Sequence, residues 1–175
     1  LAMHNSPALK HLQVKSLHFV DVQRLGDCTD TSPISALSDL ALHLASSPAE
    51  VRMGEQDNSF TICEVPQGLL APTLQALMPL RQSFENVTSL YLHSEIPDDV
   101  SMALLSTLFG CVASLELIVF ASGDLHDVGC MQFLENFGSL KHLTLRVSTV
   151  PSDCLLALLS AGLQRRPFVL TLIAW

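Results

Sequence analysis

No run of apolar residues in this 175-residue chain reaches the roughly 18–20 needed to span a bilayer. The longest candidate, LLALLSAGLQRRPFVLTLIAW, is interrupted by Gln164, Arg165, Arg166 and Pro167. Positive charge is scarce as well: 9 Lys and Arg stand against 17 Asp and Glu, a formal charge of −8. Such a field repels phosphate backbones and anionic headgroups, so neither nucleic acid nor membrane is an expected partner. A protein partner is. The chain also lacks a basic segment leading into a short apolar stretch and cleavage site, so no signal peptide is read.

Catalytic signatures are missing too. There is no G-x-S-x-G elbow, no G-x-x-x-x-G-K-[ST] loop, no G-x-G-x-x-G and no H-E-x-x-H. The stretch SGDLHD, 122–127, sets Ser, Asp and His side by side, but triad members converge from distant segments, so it reads as a loop with a helix cap. Cys28, Cys63, Cys111, Cys130 and Cys154 are odd in number, widely spread and form no C-x-x-C pair. They read as buried reduced thiols, which points to a cytoplasmic or nuclear setting.

What the chain does have is leucine at a fixed rhythm. The pattern L-x-x-L-x-L or a variant recurs at Leu9-x-x-Leu12-x-Val14, Leu37-x-x-Leu40-x-Leu42, Val87-x-x-Leu90-x-Leu92, Val112-x-x-Leu115-x-Leu117 and Leu140-x-x-Leu143-x-Leu145. Degenerate copies sit at Phe60-x-Ile62 and Leu170-x-Leu172, and successive copies lie 20 to 30 residues apart. A repeat of that length marks a stacked supersecondary unit. Each unit changes period within itself: SLYL, SLELIVF and HLTLRV alternate as strands do, whereas DDVSMALLSTLFGCV has Val100, Leu104, Leu108 and Val112 at helical spacing. HDVGCMQFLENF and SDCLLALLSAGL repeat the helical spacing. Asp98 or Asp99, Asp127 and Ser152 stand where helix caps belong, and Gly110, Gly138 and Gly162 stand near three helix ends, where a left-handed residue should turn the chain.

A strand, a helix and another strand at this interval imply parallel strands joined by right-handed crossovers. The pattern resembles the leucine-rich repeat family in its longer, ribonuclease-inhibitor-like form, and the likeness runs from Leu9 to Leu172. It departs from that family where an Asn or Cys should follow the strand: Glu95, Phe120 and Ser148 stand there, as in divergent F-box-associated repeat segments. The resemblance implies an α/β solenoid, with a curved parallel sheet inside and helices on the convex side. It would span 1–175 as one domain of about six or seven divergent repeats cut from a longer chain, with 46–67 an irregular loop or short hairpin. A doubly wound α/β domain is the competing fold. Its strands would be apolar on both faces, whereas polar residues alternate with the leucines here.

Those alternating residues are the candidate partner-binding positions: Gln13, Lys15, His43, Tyr91, His93, Glu116, His142 and Arg146. Tyr91 is the expected aromatic anchor, since Tyr and Arg are favoured at interface hot spots. Trp175 is expected to pack under a following repeat or cap. His43 and His93 share one column with Cys63 between them, which is too few ligands for a metal site. No cofactor, metal or catalytic residue is expected. The resemblance implies a non-catalytic protein-interaction module, such as the substrate-recognition part of an F-box-type ubiquitin ligase or a repeat segment of an intracellular immune receptor. Neighbouring repeats or domains of a longer chain would be further contacts. The alternative is a small α/β hydrolase or transferase with its site at the carboxyl ends of the strands.

Overall fold

The computed structural model describes residues 11–47, 50–66, 68–94, 97–119, 137–147, 160 and 168–174. The expected helices after Asp127 and Ser152 lie outside these residues, as do Cys130, Cys154, the SGDLHD stretch and Trp175. So do Glu95, Phe120 and Ser148.

The molecule is an α/β structure whose described strands all pair in parallel. The chain runs β1 (His11–Val14), β2 (Ser16–His18), α1 (Phe19–Thr29), α2 (Pro33–Ser46), β3 (Glu50–Met53) and β4 (Ser59–Cys63). It continues with α3 (Leu70–Leu77), a 3₁₀ segment (Met78–Phe84), β5 (Ser89–Ser94), α4 (Asp99–Leu108), β6 (Ser114–Val119), β7 (His142–Val147) and β8 (Val169–Ala174). The main sheet has the order β2-β4-β5-β6-β7-β8, and β1 pairs with β3 in a second, two-stranded sheet.

The repeated pattern sets the register of the main sheet. Phe60 pairs with Leu90, Leu90 with Leu115, Leu115 with Leu143 and Leu143 with Leu170. A second column runs Ile62, Leu92, Leu117, Leu145 and Leu172. From Phe60 to Leu145 these side chains are at most 1% exposed. Each buried leucine contributes roughly 1.5–3 kcal/mol of transfer free energy, so the two columns form the spine of the core. Helices α2, α3 and α4 add Leu37, Ala41, Leu70, Leu74, Leu77, Met102, Leu105 and Leu108 to it. Phe60, Phe84 and Phe109 interlock, with ring centroids 4.9–6.0 Å apart and two of the three contacts edge-to-face, joining β4, the 3₁₀ segment and the end of α4.

Local signals start the helices. The Asp98 carboxylate accepts a hydrogen bond from the Ser101 amide at 2.8 Å, capping α4 as expected. Gly110 follows that helix without adopting the left-handed backbone expected of it. At α2 the Ser32 hydroxyl accepts from the Ser35 amide at 3.2 Å, and Pro33 opens the helix where its missing N–H costs nothing.

Two expectations fail in the first third of the chain. Leu37-x-x-Leu40-x-Leu42 is not a strand: it lies within α2, which buries Leu37 and Ala41 and leaves Leu40 39% and Leu42 54% exposed. The crossover from β2 to β3 is therefore a pair of helices, α1 and α2. Segment 46–67 differs too. It holds two strands, and they do not form a hairpin: β3 pairs with β1, while β4 pairs with β2 and β5. Residues 11–14 thus run beside 50–53 and residues 16–18 beside 61–63, while 54–58 loops out. Left-handed backbone at Gly54 (φ 102°) and Asn58 (φ 60°) shapes that loop, and the Glu55 amide donates to the Ser59 carbonyl at 2.7 Å to close it. A β-carbon at Gly54 would lie 3.0 Å from the same carbonyl oxygen, and with the left-handed backbone this makes any side chain there strained.

Candidate interaction face

Side chains alternate across a strand, so burying the leucine columns turns the intervening residues to the other face of the main sheet. Ser16, Thr61, Tyr91, Glu116, Thr144 and Thr171 are lateral neighbours in register across all six strands. Ser59, Ser89, Ser114, His142 and Val169 form the row before. The row after it holds His18 beside Cys63 at one side, then His93, Ile118, Arg146 and Ile173. Tyr91 is 41% exposed, in contrast with its two flanking leucines, which are buried. Hydroxyls dominate the surface, with one aromatic ring near its middle.

The charged pair on this face is Glu116 and Arg146. Arg146 lies diagonally across from Glu116, whose direct partner on β7 is Thr144, and its Nε sits 2.7 Å from Glu116 Oε1. The Nε is buried and its N–H is not aligned with a hydrogen-bond acceptor, so the contact is an ion pair at close range rather than a well-formed hydrogen bond. The Arg146 side chain is 40% exposed and that of Glu116 20%.

Of the eight expected positions, the structure brings five together on this face: Tyr91, His93, Glu116, His142 and Arg146. The other three lie elsewhere. His43 is exposed on α2 because its segment is helical, so the expected row of His43, Cys63 and His93 does not exist. Gln13 belongs to β1, where its Nε2 donates to the Gly54 carbonyl at 2.8 Å and ties down the looped-out turn. Lys15 is exposed at the break between β1 and β2. Val14 and Leu17 both pack against the core with two residues between them, so strand alternation slips there. Ser16 and His18 take up the open-face positions in place of Gln13 and Lys15. The signal was present in HLQVKSLHFV, where Lys15 and Ser16 are consecutive polar residues inside an otherwise alternating run.

The chemistry available is limited. Burial, reinforced by the neighbouring Glu64 carboxylate, raises the Cys63 pKa, so the thiol stays protonated and is a poor nucleophile. Among the described residues no group of three His, Cys, Asp or Glu side chains is arranged to hold a metal ion. An open depression of about 590 Å³ lies on the helical side, lined by Ile34, Met78, Pro72 and Pro79 among others, and no titratable side chain lines it. No helix among the described residues is long and apolar enough to cross a membrane.

No protein-family model matches this chain, and neither a curated protein nor a solved structure is significantly similar to it.

Proposed function

We propose that this chain is a non-catalytic protein-interaction module, a divergent leucine-rich-repeat-like solenoid that meets a protein partner through the open face of its parallel sheet. One observation carries the reading: from Phe60 to Leu145 the inward leucine columns are sealed, while Tyr91 between them is 41% exposed among Ser, Thr and His neighbours. A sheet that is buried on one side and polar on the other is the usual binding surface of stacked repeats. The strand order supports the same reading. It follows the chain without reversal, whereas doubly wound enzymes place their ligands where the order reverses. Substrate recognition in an F-box-type ubiquitin ligase is the biological setting that the repeat resemblance implies.

The test compares two surfaces of one fold. Proteins enriched from lysate by the immobilised chain are quantified beside those enriched by a Tyr91→Ala/His142→Ala double variant and a His43→Ala variant. The expected result is loss of the enriched set with the sheet-face pair, retention with the α2 variant, and unchanged thermal unfolding for both. Retention with the sheet-face pair, or loss with His43→Ala alone, overturns the proposal.

A further inference from the structure

The open face of the main sheet has an acidic frame. Its six strands carry one carboxylate, Glu116, and Arg146 Nε lies 2.7 Å from it, so the face itself is close to neutral when His is counted as uncharged. Around Tyr91 the ends of the strands are different. Glu55 and Asp57 lie in the loop before β4 and Glu85 in the turn before β5, while Glu64 follows β4, and Asp98 and Asp99 follow β5. All six residues are exposed. Asp57 accepts hydrogen bonds from the Ser59 hydroxyl at 2.7 Å and the Ser59 amide at 3.1 Å, which hold its carboxyl below the ordinary value. Ser101 holds Asp98 low in the same way. The described bases nearest in the chain to these ends are Lys15, before β2, and Arg81 in the 3₁₀ segment.

On the reading that a partner docks on this face, we infer that the segment it presents is basic: an extended stretch laid along β5, with Arg or Lys toward both ends. A strand of this length spans roughly 20 Å, so such a stretch meets Tyr91 near its middle and carboxylates at either end. Tyr91, 41% exposed, offers a ring against which a guanidinium or ammonium can rest. Each rim ion pair is weak alone because water screens it. Selectivity therefore comes from engaging both ends and the ring together. At longer range a chain of charge −8 draws a cationic partner in and turns an acidic one away.

The test selects a displayed library of random dodecapeptides on the immobilised chain and measures the enriched peptides by fluorescence anisotropy. They should carry an excess of Arg and Lys with cations about six residues apart, and bind more weakly as salt rises. Tyr91→Ala should weaken them about tenfold or more. Glu64→Lys/Glu85→Lys reverses one charge at each end of the face and should cost about tenfold. Asp27→Lys/Asp39→Lys makes the same change in net charge at exposed positions on α1 and α2, and should leave most of the affinity in place. Unchanged circular dichroism identifies each loss as one of binding. Neutral or acidic peptides that still need Tyr91 overturn the basic partner and leave the face as the docking surface. Binding indifferent to Tyr91→Ala overturns both. Equal losses in the two lysine double variants, or a library that yields no binder, also overturn the basic partner.

Discussion

Two leucines that occupy the same place in the repeated pattern should differ sharply in what they contribute. Leu117 and Leu42 each close a copy of the motif. Leu117 is 0% exposed and sits between Leu92 and Leu145, which are equally buried. Truncation to alanine removes the transfer free energy of the lost carbons and leaves a void. The strands on both sides are held in a hydrogen-bonded ladder, so the void cannot readily collapse. The expected cost therefore lies in the upper half of the range for such changes, about 3.5–5 kcal/mol, a large share of the stability of an ordinary domain. Leu42 is 54% exposed on α2. Its truncation loses a partial contact and gains a better helix former, so the net change should stay within about 1 kcal/mol. Urea unfolding followed by far-ultraviolet circular dichroism reads both values, with an unchanged slope showing that the denatured state is comparable. Equal losses at the two positions would falsify the assignment of Leu42 to a helix surface and Leu117 to the shared core.

Gly26→Ala should destabilise although alanine is the better helix former by about 1 kcal/mol. A β-carbon there would meet the Pro33 nitrogen and the Thr31 oxygen, both at 2.9 Å and both backbone atoms, so the α1–α2 corner must spread. A net loss of about 1–3 kcal/mol is expected, and a raised melting temperature would refute it. Asp98→Ala should cost about 1 kcal/mol at neutral pH through loss of the α4 cap. Hydrogen bonds from the Ser101 side chain and then from its amide hold the Asp98 pKa below its ordinary value of 3.8. The charged cap is thus fully present above that ordinary value and is lost as pH falls through the lower native one. The gap in urea midpoint between wild type and variant should be flat near neutrality and narrow in acid; a gap that widens there would contradict the cap.

Strands β5 to β8 of the main sheet were readable in advance because their signal is local and repeated. Period-two leucines at Leu90, Leu115 and Leu143 recur with similar spacing, and Asp98 marks the intervening helix start. Leu37-x-x-Leu40-x-Leu42 was ambiguous in kind. Steps of three and two between apolar residues suit a strand, but Leu37, Ala41 and Leu44 also lie on one helical face, and Ser32-Pro33 ahead of them settles the matter by capping that helix. The five open-face positions that meet on the sheet follow from alternation once the register is known. Which of them touch does not. Glu116 and Arg146 are 30 positions apart along the chain, and their ion pair depends on β6 lying beside β7 in one register. Gln13 left the face because residues 54–58 loop out and offer it a carbonyl at Gly54. Periodicity along a strand follows from which side chains water rejects, and composition alone carries that. Contact between strands depends on how much chain is looped out between them and on where alternation slips, and these are set by the packing of the whole.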